Sequence, residues 1–323
     1  MANQGMVEFV GAESGEHPAL QAWRRLGAER FEPERISVLS KRFKSTVYLL
    51  ENAGSGGSSV VAKYCRRAMA AHERVIYDQI LREVPVSYPR YYGFLEGESE
   101  YDWLFLEYAE GEQYSRSRED HSILAARWLG LLHTSAALLP AAARLPDCGP
   151  AYHLMLLRGA RDKLWRNMAQ LNLPATELAV IEAVTHQCDF LESRWEQVHG
   201  WCERMPLTLV HGDFKPKNAV IRSGAAGPVF LPFDWEASGW GVPAQDLAYV
   251  SADGYHATVQ HRWPDMSLQD VQKMKIVGRI FRGLAEFSWE SEKLEPNWPV
   301  STLNLQIYRA RMTDAIAMAN WEE

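Results

Sequence analysis

Apolar and polar positions change period several times along this chain, and the changes divide it into a strand-rich first part and a helical remainder. From His17 to Leu26, HPALQAWRRL carries helical spacing; after Pro33 the period shortens. Ser37 to Leu50 closes on the apolar run Val47-Tyr48-Leu49-Leu50, and Asn52 to Ser59, NAGSGGSS, is turn chemistry. Val60-Val61-Ala62-Lys63 then opens a second strand, which predicts a hairpin with the glycines at its tip. Ala68 to Leu81 returns to helical spacing through Met69, Val75, Ile76 and Ile80, and Pro85 and Pro89 end it. Two further strands, Arg90 to Leu95 and Trp103 to Tyr108, flank the acidic turn EGESEYD.

Beyond Gly111 the pattern is mainly helical. Ser122 to Leu139, Tyr152 to Leu171, Glu177 to Cys202, Val271 to Trp289 and Leu303 to Trp321 all read as helices, with a break expected at Pro296 and Pro299. One strand–loop–strand unit interrupts them. In TLVHGDFKPKNAVI, Thr208 to Ile221, an apolar run delivers His211, Gly212 and Asp213 into a polar turn, and Asn218 precedes a second apolar run. Asp234 stands at the end of a further β-type run, Pro228 to Phe233. A proton acceptor and two hard oxygen ligands on neighbouring turns are what magnesium-assisted phosphoryl transfer requires.

His211-Gly212-Asp213-Phe214-Lys215-Pro216-Lys217-Asn218 resembles the H-x-D-x-x-x-x-N loop of the protein-kinase superfamily. Gly212 after the histidine, and Phe233-Asp234-Trp235-Glu236 in place of D-F-G, resemble the aminoglycoside phosphotransferase and choline kinase branch. The resemblance implies a bilobal α+β fold: an antiparallel-sheet lobe over residues 1–108 with one helix against it, and a mainly helical lobe over 109–323. It implies Asp213 as base and Asn218 and Asp234 as magnesium ligands. Lys63 is similar to the strand lysine on the nucleotide's phosphates, and Glu73 to its helix partner. The alternative for Glu73 is a solvated helix face.

Glu107, Tyr108 and Ala109 resemble the hinge whose backbone reads the adenine edge. The expected glycine-rich phosphate cover is absent: Ser40 to Thr46 holds no glycine, so Lys44, Ser45 and Thr46 are left to meet phosphate through charge and hydroxyl groups. Lys215 is read as a catalytic cation beside the moving phosphoryl group, with a peptide-contacting lysine or a plain loop lysine as alternatives. Asp246, in P-x-x-D-L-A, is expected to cap the following helix and tie the loop from behind. His133 lies on an apolar helical pattern and is read as a buried structural histidine.

Composition narrows the partners. The chain has 323 residues, 47% of them hydrophobic, and a net charge of -7. That balance gives no general attraction to nucleic acid or to an anionic membrane, so any nucleotide needs a local cationic site. The first residues lack an export signal and no run approaches a membrane span, which makes the cytoplasm the expected compartment. Four widely spaced cysteines suggest neither disulfide nor zinc. The resemblance, carried by Lys63, Glu73, Asp213, Asn218 and Asp234 in that order, implies an enzyme using ATP (or GTP) and Mg²⁺ to phosphorylate a hydroxyl of a small polar molecule. A Ser/Thr kinase acting on peptide and a nucleotide-binding pseudokinase module are the alternatives.

Overall fold

The structure is a computed structural model that describes residues 9–10, 17–27 and 31–322. In chain order its main elements are β1 (Phe9–Val10), α1 (Pro18–Arg25), β2 (Ile36–Arg42), β3 (Ser45–Leu50), β4 (Val60–Arg66), α2 (Arg67–Val75), β5 (Tyr91–Leu95), β6 (Tyr101–Glu107) and β7 (Glu112–Gln113). Then follow α3 (Glu119–Ala136), α4 (Pro150–Gln170), α5 (Ala175–Ser193), α6 (Trp195–Glu203), β8 (Thr208–Val210), β9 (Ala219–Gly224) and β10 (Gly227–Pro232). The chain closes with β11 (Gly239–Gly241), α7 (Ala244–Leu247), α8 (Ala252–Val259) and the helical segment α9 (Leu268–Met318). This is the α+β, protein-kinase-like class that the sequence predicts. The chain separates into two compact units, one holding residues up to Tyr114 together with 215–236, the other 115–214 and 237–323. The expected division at 108/109 thus differs in two ways: the first unit runs to Tyr114, and it takes in the β9–β10 hairpin.

In the first unit the sheet order is β1-β2-β3-β4-β6-β5, with antiparallel pairing throughout. Strand alternation places Val60 and Ala62 on one face, in a core with Trp23, Leu50, Trp103 and Phe105. Trp23 is anchored by its ring N–H, donated to the Phe31 carbonyl at 3.1 Å, and truncating it to alanine would cost about 3–5 kcal/mol. Lys63 therefore points to the opposite face. There α2 packs, burying Ala70 and Glu73 one turn apart. The helix widens to π geometry over Ile76–Ile80, so the expected helix at 68–81 is present but not uniformly α. The β3–β4 connection holds Gly56 and Gly57 at positive φ, as a tight tip requires.

The second unit is helical apart from the short β8–β11 pair. The helical assignment from Leu268 to Met318 is continuous, yet the Lys273 ammonium donates to the Ala319 carbonyl at 2.7 Å. A straight helix rises about 1.5 Å per residue and would hold these two tens of ångströms apart, so α9 doubles back as a hairpin. The turn belongs to the expected proline region, since Met312 on the returning arm packs against Gly283 on the first. The predicted stretch 177–202 is divided at Arg194, which leaves helical geometry and donates its guanidinium to the Glu322 carbonyl. All four cysteines are buried and unpaired. Arg158 and Arg161 of α4 are engaged by Asp189 and Glu192 of α5. No described helix is long and apolar enough to cross a membrane.

Candidate active site

Within the first unit, Lys63 is the hub. Its ammonium lies 2.5 Å from Glu73 Oε1, 2.9 Å from Asp234 Oδ1 and 4.0 Å from Glu236 Oε2. Burial alone works against this cation, leaving Lys63 only 7% exposed, but the three carboxylates outweigh it and hold its pKa well above the ordinary lysine value. Glu73 is 1% exposed; burial pushes its carboxyl up while the ammonium beside it pulls the other way. The solvated-face alternative for Glu73 is therefore excluded. Glu236, not singled out by sequence, joins the cluster through the W-E that replaces F-G.

Asn218 and Asp234 belong to the same end of the β9–β10 hairpin. The ladder closes at Ala219 opposite Pro232, and the Phe233 N–H then donates to the Asn218 carbonyl at 2.9 Å. Asn218 ends a short 3-10 turn, Pro216–Asn218, and is buried. Asp234 sits at φ 70, a left-handed conformation uncommon outside glycine but tolerated by aspartate better than by most residues. No group of three or more His, Cys, Asp or Glu able to hold a metal occurs among the described residues. Asn218 and Asp234 offer hard oxygen donors, and an ion held by one carboxylate and one carboxamide would complete its shell with phosphate and water, as Mg²⁺ commonly does. The carboxylate and carboxamide present fit that ion.

The hinge candidates differ from one another in their backbone groups. The Glu107 and Tyr108 N–H groups already donate, to the Arg90 and Ser59 carbonyls, whereas that of Ala109 makes no hydrogen bond among the described residues. The Glu107 side chain is engaged by Arg222 at 2.6 Å, so it contributes position rather than a ligand contact. In the expected phosphate turn, Lys44 is exposed and Ser45 and Thr46 are half-buried on β3. The turn Phe43-Lys44 has no positive φ and is tied by side chain and backbone instead. The Phe43 carbonyl accepts from the Tyr101 hydroxyl, and the Lys44 carbonyl from the Arg66 N–H.

Asp213 and its supports lie in the second unit. β8 feeds His211 and Gly212, whose N–H groups donate to Asp246 at 2.7 and 3.0 Å. His133 Nε2 lies 3.3 Å from the same carboxylate and its Nδ1 3.0 Å from the Tyr255 hydroxyl, so this histidine is the buried structural group expected. Asp246 ties the loop as predicted, but it is not an N-cap: Pro243 holds that position, and Asp246 lies inside the four-residue α7. Its carboxylate takes the loop's amides rather than those of its own helix. Gly212 has φ 78, and a Cβ there would come within 1.9 Å of the Ala237 carbonyl oxygen, so the second position of H-G-D admits only glycine.

Sequence reasoning missed one residue at this site. Arg282 of α9 donates from Nη1 to Asp213 Oδ1 at 2.5 Å and from Nε to Glu286 at 2.9 Å. An Arg–Glu pair four apart on a helix reads as a solvated ion pair. The available signal was its setting between Phe281 and Leu284, which puts the helix's buried side within one residue.

The model of the phosphotransferase enzyme family matches residues 35–284. Among solved structures, the GDP and kanamycin complex of APH(2″)-IIIa is 14% identical, covers 88% of this chain and 95% of its own, and superposes with a TM-score of 0.62. Spectinomycin phosphotransferase APH(9)-Ia, solved with ADP and spectinomycin, is 10% identical with coverages of 90% and 96% and a TM-score of 0.57. An ethanolamine kinase from Plasmodium vivax is 13% identical, with coverages of 87% and 82% and a TM-score of 0.58. No curated protein sequence matches the chain. At these identities the solved structures are similar to it in fold.

Proposed function

The chain belongs to the phosphotransferase enzyme family, and from that premise we propose that it moves the γ-phosphoryl group of ATP or GTP to a hydroxyl of a small polar molecule such as a sugar, an aminoglycoside-like antibiotic or another metabolite. The observation that carries this is the buried Lys63–Glu73 pair beside Asp234, with Asn218 at the same hairpin end. Similar structures solved with GDP or ADP, and with kanamycin or spectinomycin, support the nucleotide and the acceptor class.

Lys63, oriented by Glu73, neutralises the α and β phosphates. The Ala109 N–H and the Glu107 carbonyl take the adenine edge, with Tyr108 between them holding the segment to β4 through Ser59. Asn218 and Asp234 hold Mg²⁺, which would offset charge on the phosphate oxygens. Asp213 accepts the acceptor hydroxyl's proton or orients that hydroxyl. Lys215 adds positive charge near the transferred group. Lys44, Ser45 and Thr46 cover the phosphates by charge and hydroxyl, in place of a glycine-rich backbone.

The test is a screen of hydroxylated metabolites and aminoglycosides for Mg²⁺-dependent release of ADP or GDP. Asp213→Asn is expected to fold normally and to lower kcat by about 10²- to 10⁴-fold. Near-normal turnover of that variant would remove Asp213 as the base. Transfer of label to peptide but to no metabolite would favour the Ser/Thr-kinase alternative raised by Lys215. Nucleotide binding with no turnover would favour the pseudokinase alternative, for which the glycine-free turn is the supporting feature.

A further inference from the structure

The Asp213 loop is secured twice, by different means. Asp246 holds its backbone through the His211 and Gly212 amides, and Gln245 donates to the Gly212 carbonyl at 3.3 Å. Neither contact fixes the Asp213 side chain. That is done by Arg282, reaching from the first arm of the α9 hairpin.

We propose that Arg282 is a positioning residue for phosphoryl transfer, one that sets the plane and charge of the Asp213 carboxylate and is itself aimed by Glu286. The inference rests on Asp213 being the base. The torsion that turns a carboxylate about its Cβ–Cγ bond is soft, so a donor at Oδ1 decides where Oδ2 points. A guanidinium is suited to this because its donors form a rigid fork: Glu286 engages Nε at 2.9 Å, and Nη1 is then directed at Asp213. Arg311, on the returning arm, brings a second cation within 3.7 Å of Glu286, and the Arg282 guanidinium lies 5.1 Å from the Trp289 ring centre.

The Arg282 and Asp213 side chains are each 11% exposed, so water screens their attraction little. Burial opposes the arginine's charge, but Glu286 and Asp213 outweigh it and raise its pKa. The cation next to Asp213 in turn favours the ionised carboxylate that a base needs. The charged or titratable groups around this pair are Glu286 and, one turn on, Glu290 of the same arm, and Tyr308 and Arg311 of the returning arm; on the loop side Asp246 holds the two backbone amides that precede Asp213.

Three variants test it, with Mg²⁺-dependent ADP release from ATP as the readout and the best acceptor from the screen, or water alone, as acceptor. Arg282→Gln is expected to lower kcat by about 10- to 100-fold, the scale of a misplaced reacting group, with little change in the KM for ATP. The acid limb of its kcat/KM profile is expected to move to higher pH, and Arg282→Lys to recover part of the loss. Glu286→Gln keeps the arginine's charge but loosens its aim. It is expected to lower kcat by a smaller factor, and it serves if the arginine variants fail to fold.

In a double variant with Asp213→Asn, loss of Arg282 should add almost nothing, because the two act as one unit. A folded Arg282→Gln enzyme with wild-type kcat and an unmoved acid limb would overturn the inference, as would effects that multiply independently. If Asp213→Asn itself keeps full turnover, or wild type releases no ADP, the base assignment fails instead.

Discussion

Removing the cation from the Lys63 cluster should leave the protein destabilised by an amount that depends on pH. In Lys63→Met the methionine fills much of the lysine's volume, so packing changes little. What remains is Glu73, 1% exposed, with Oε2 already lacking a partner among the described residues and its other oxygen now without the ammonium. Breaking a buried ion pair from one side costs about 3–5 kcal/mol. Asp234 and Glu236, with side chains 35% and 43% exposed, are in contact with solvent and add about 1 kcal/mol or less each.

Burial pushes Glu73's folded-state pKa up, and once the Lys63 ammonium that pulls it down is gone the protonated form is the one the variant's fold tolerates. The penalty in Lys63→Met is therefore relieved below the carboxyl's unfolded pKa and grows as pH rises through its folded value. Replacing both members, Lys63→Met with Glu73→Leu, removes charge and counter-charge together and should restore stability to within about 1–2 kcal/mol of wild type. Urea denaturation of the three proteins at neutral and mildly acidic pH measures this. Equal destabilisation of single and double variants, or a single variant whose loss is independent of pH, would refute the picture of one coupled buried pair.

Other consequences are as direct. Gly212→Ala should cost on the order of 3 kcal/mol or prevent folding, since positive φ and a carbonyl oxygen at 1.9 Å both oppose a Cβ; a thermal melt decides it. Asp246→Asn leaves one loop amide a weaker neutral acceptor and turns an NH2 that cannot accept toward the other, and should lower both Tm and kcat, whereas an effect on neither would mean that the loop holds without it. Asp234→Asn should raise the Mg²⁺ concentration needed for half-maximal ADP release, and an unchanged requirement would remove it as a ligand. Burial pushes the His153 imidazole down to about 3 beside Phe281, so its neutral form stabilises the fold above pH 6.5 and that contribution is lost as pH falls toward 3. A His153→Leu protein should therefore show a flatter stability curve across this window, followed by urea midpoints.

The fold class was legible because periodicity and motif agreed: the 47–50 and 60–63 runs form β3 and β4, and H-G-D-x-x-x-x-N marked the loop between β8 and β9. Lys63 and Glu73 were legible as a pair through the family resemblance alone; helical spacing left Glu73 free to lie on a solvated face, and it is the packing of α2 on the sheet that brings the two together. Three things were not. Arg282 has the local signature of a solvated i,i+4 pair, and only its contact with the Asp213 loop, 69 residues earlier in the chain, decides what it faces. That Asp246 ties the loop followed from the P-x-x-D-L-A resemblance, but that it does so from inside α7 rather than as an N-cap did not, because the amides it takes lie 34 and 35 residues away, beyond any local capping pattern. The attachment of residues 215–236 to the first unit rests on long-range pairing, such as β7 with β9, that no window of sequence contains.

Phosphoryl transfer by this chain is proposed to need Asp213 as base and Asn218 and Asp234 to hold magnesium. Its most direct measurement is label transfer from γ-³²P-labelled ATP or GTP to a pool of hydroxylated small molecules, for wild type and for Asp213→Asn and Asp234→Asn side by side. Wild type in the presence of Mg²⁺ is expected to yield a labelled small molecule, and either variant at least about a hundredfold less. Equal labelling by all three proteins, or none by a wild type that is folded and binds the nucleotide, would contradict it.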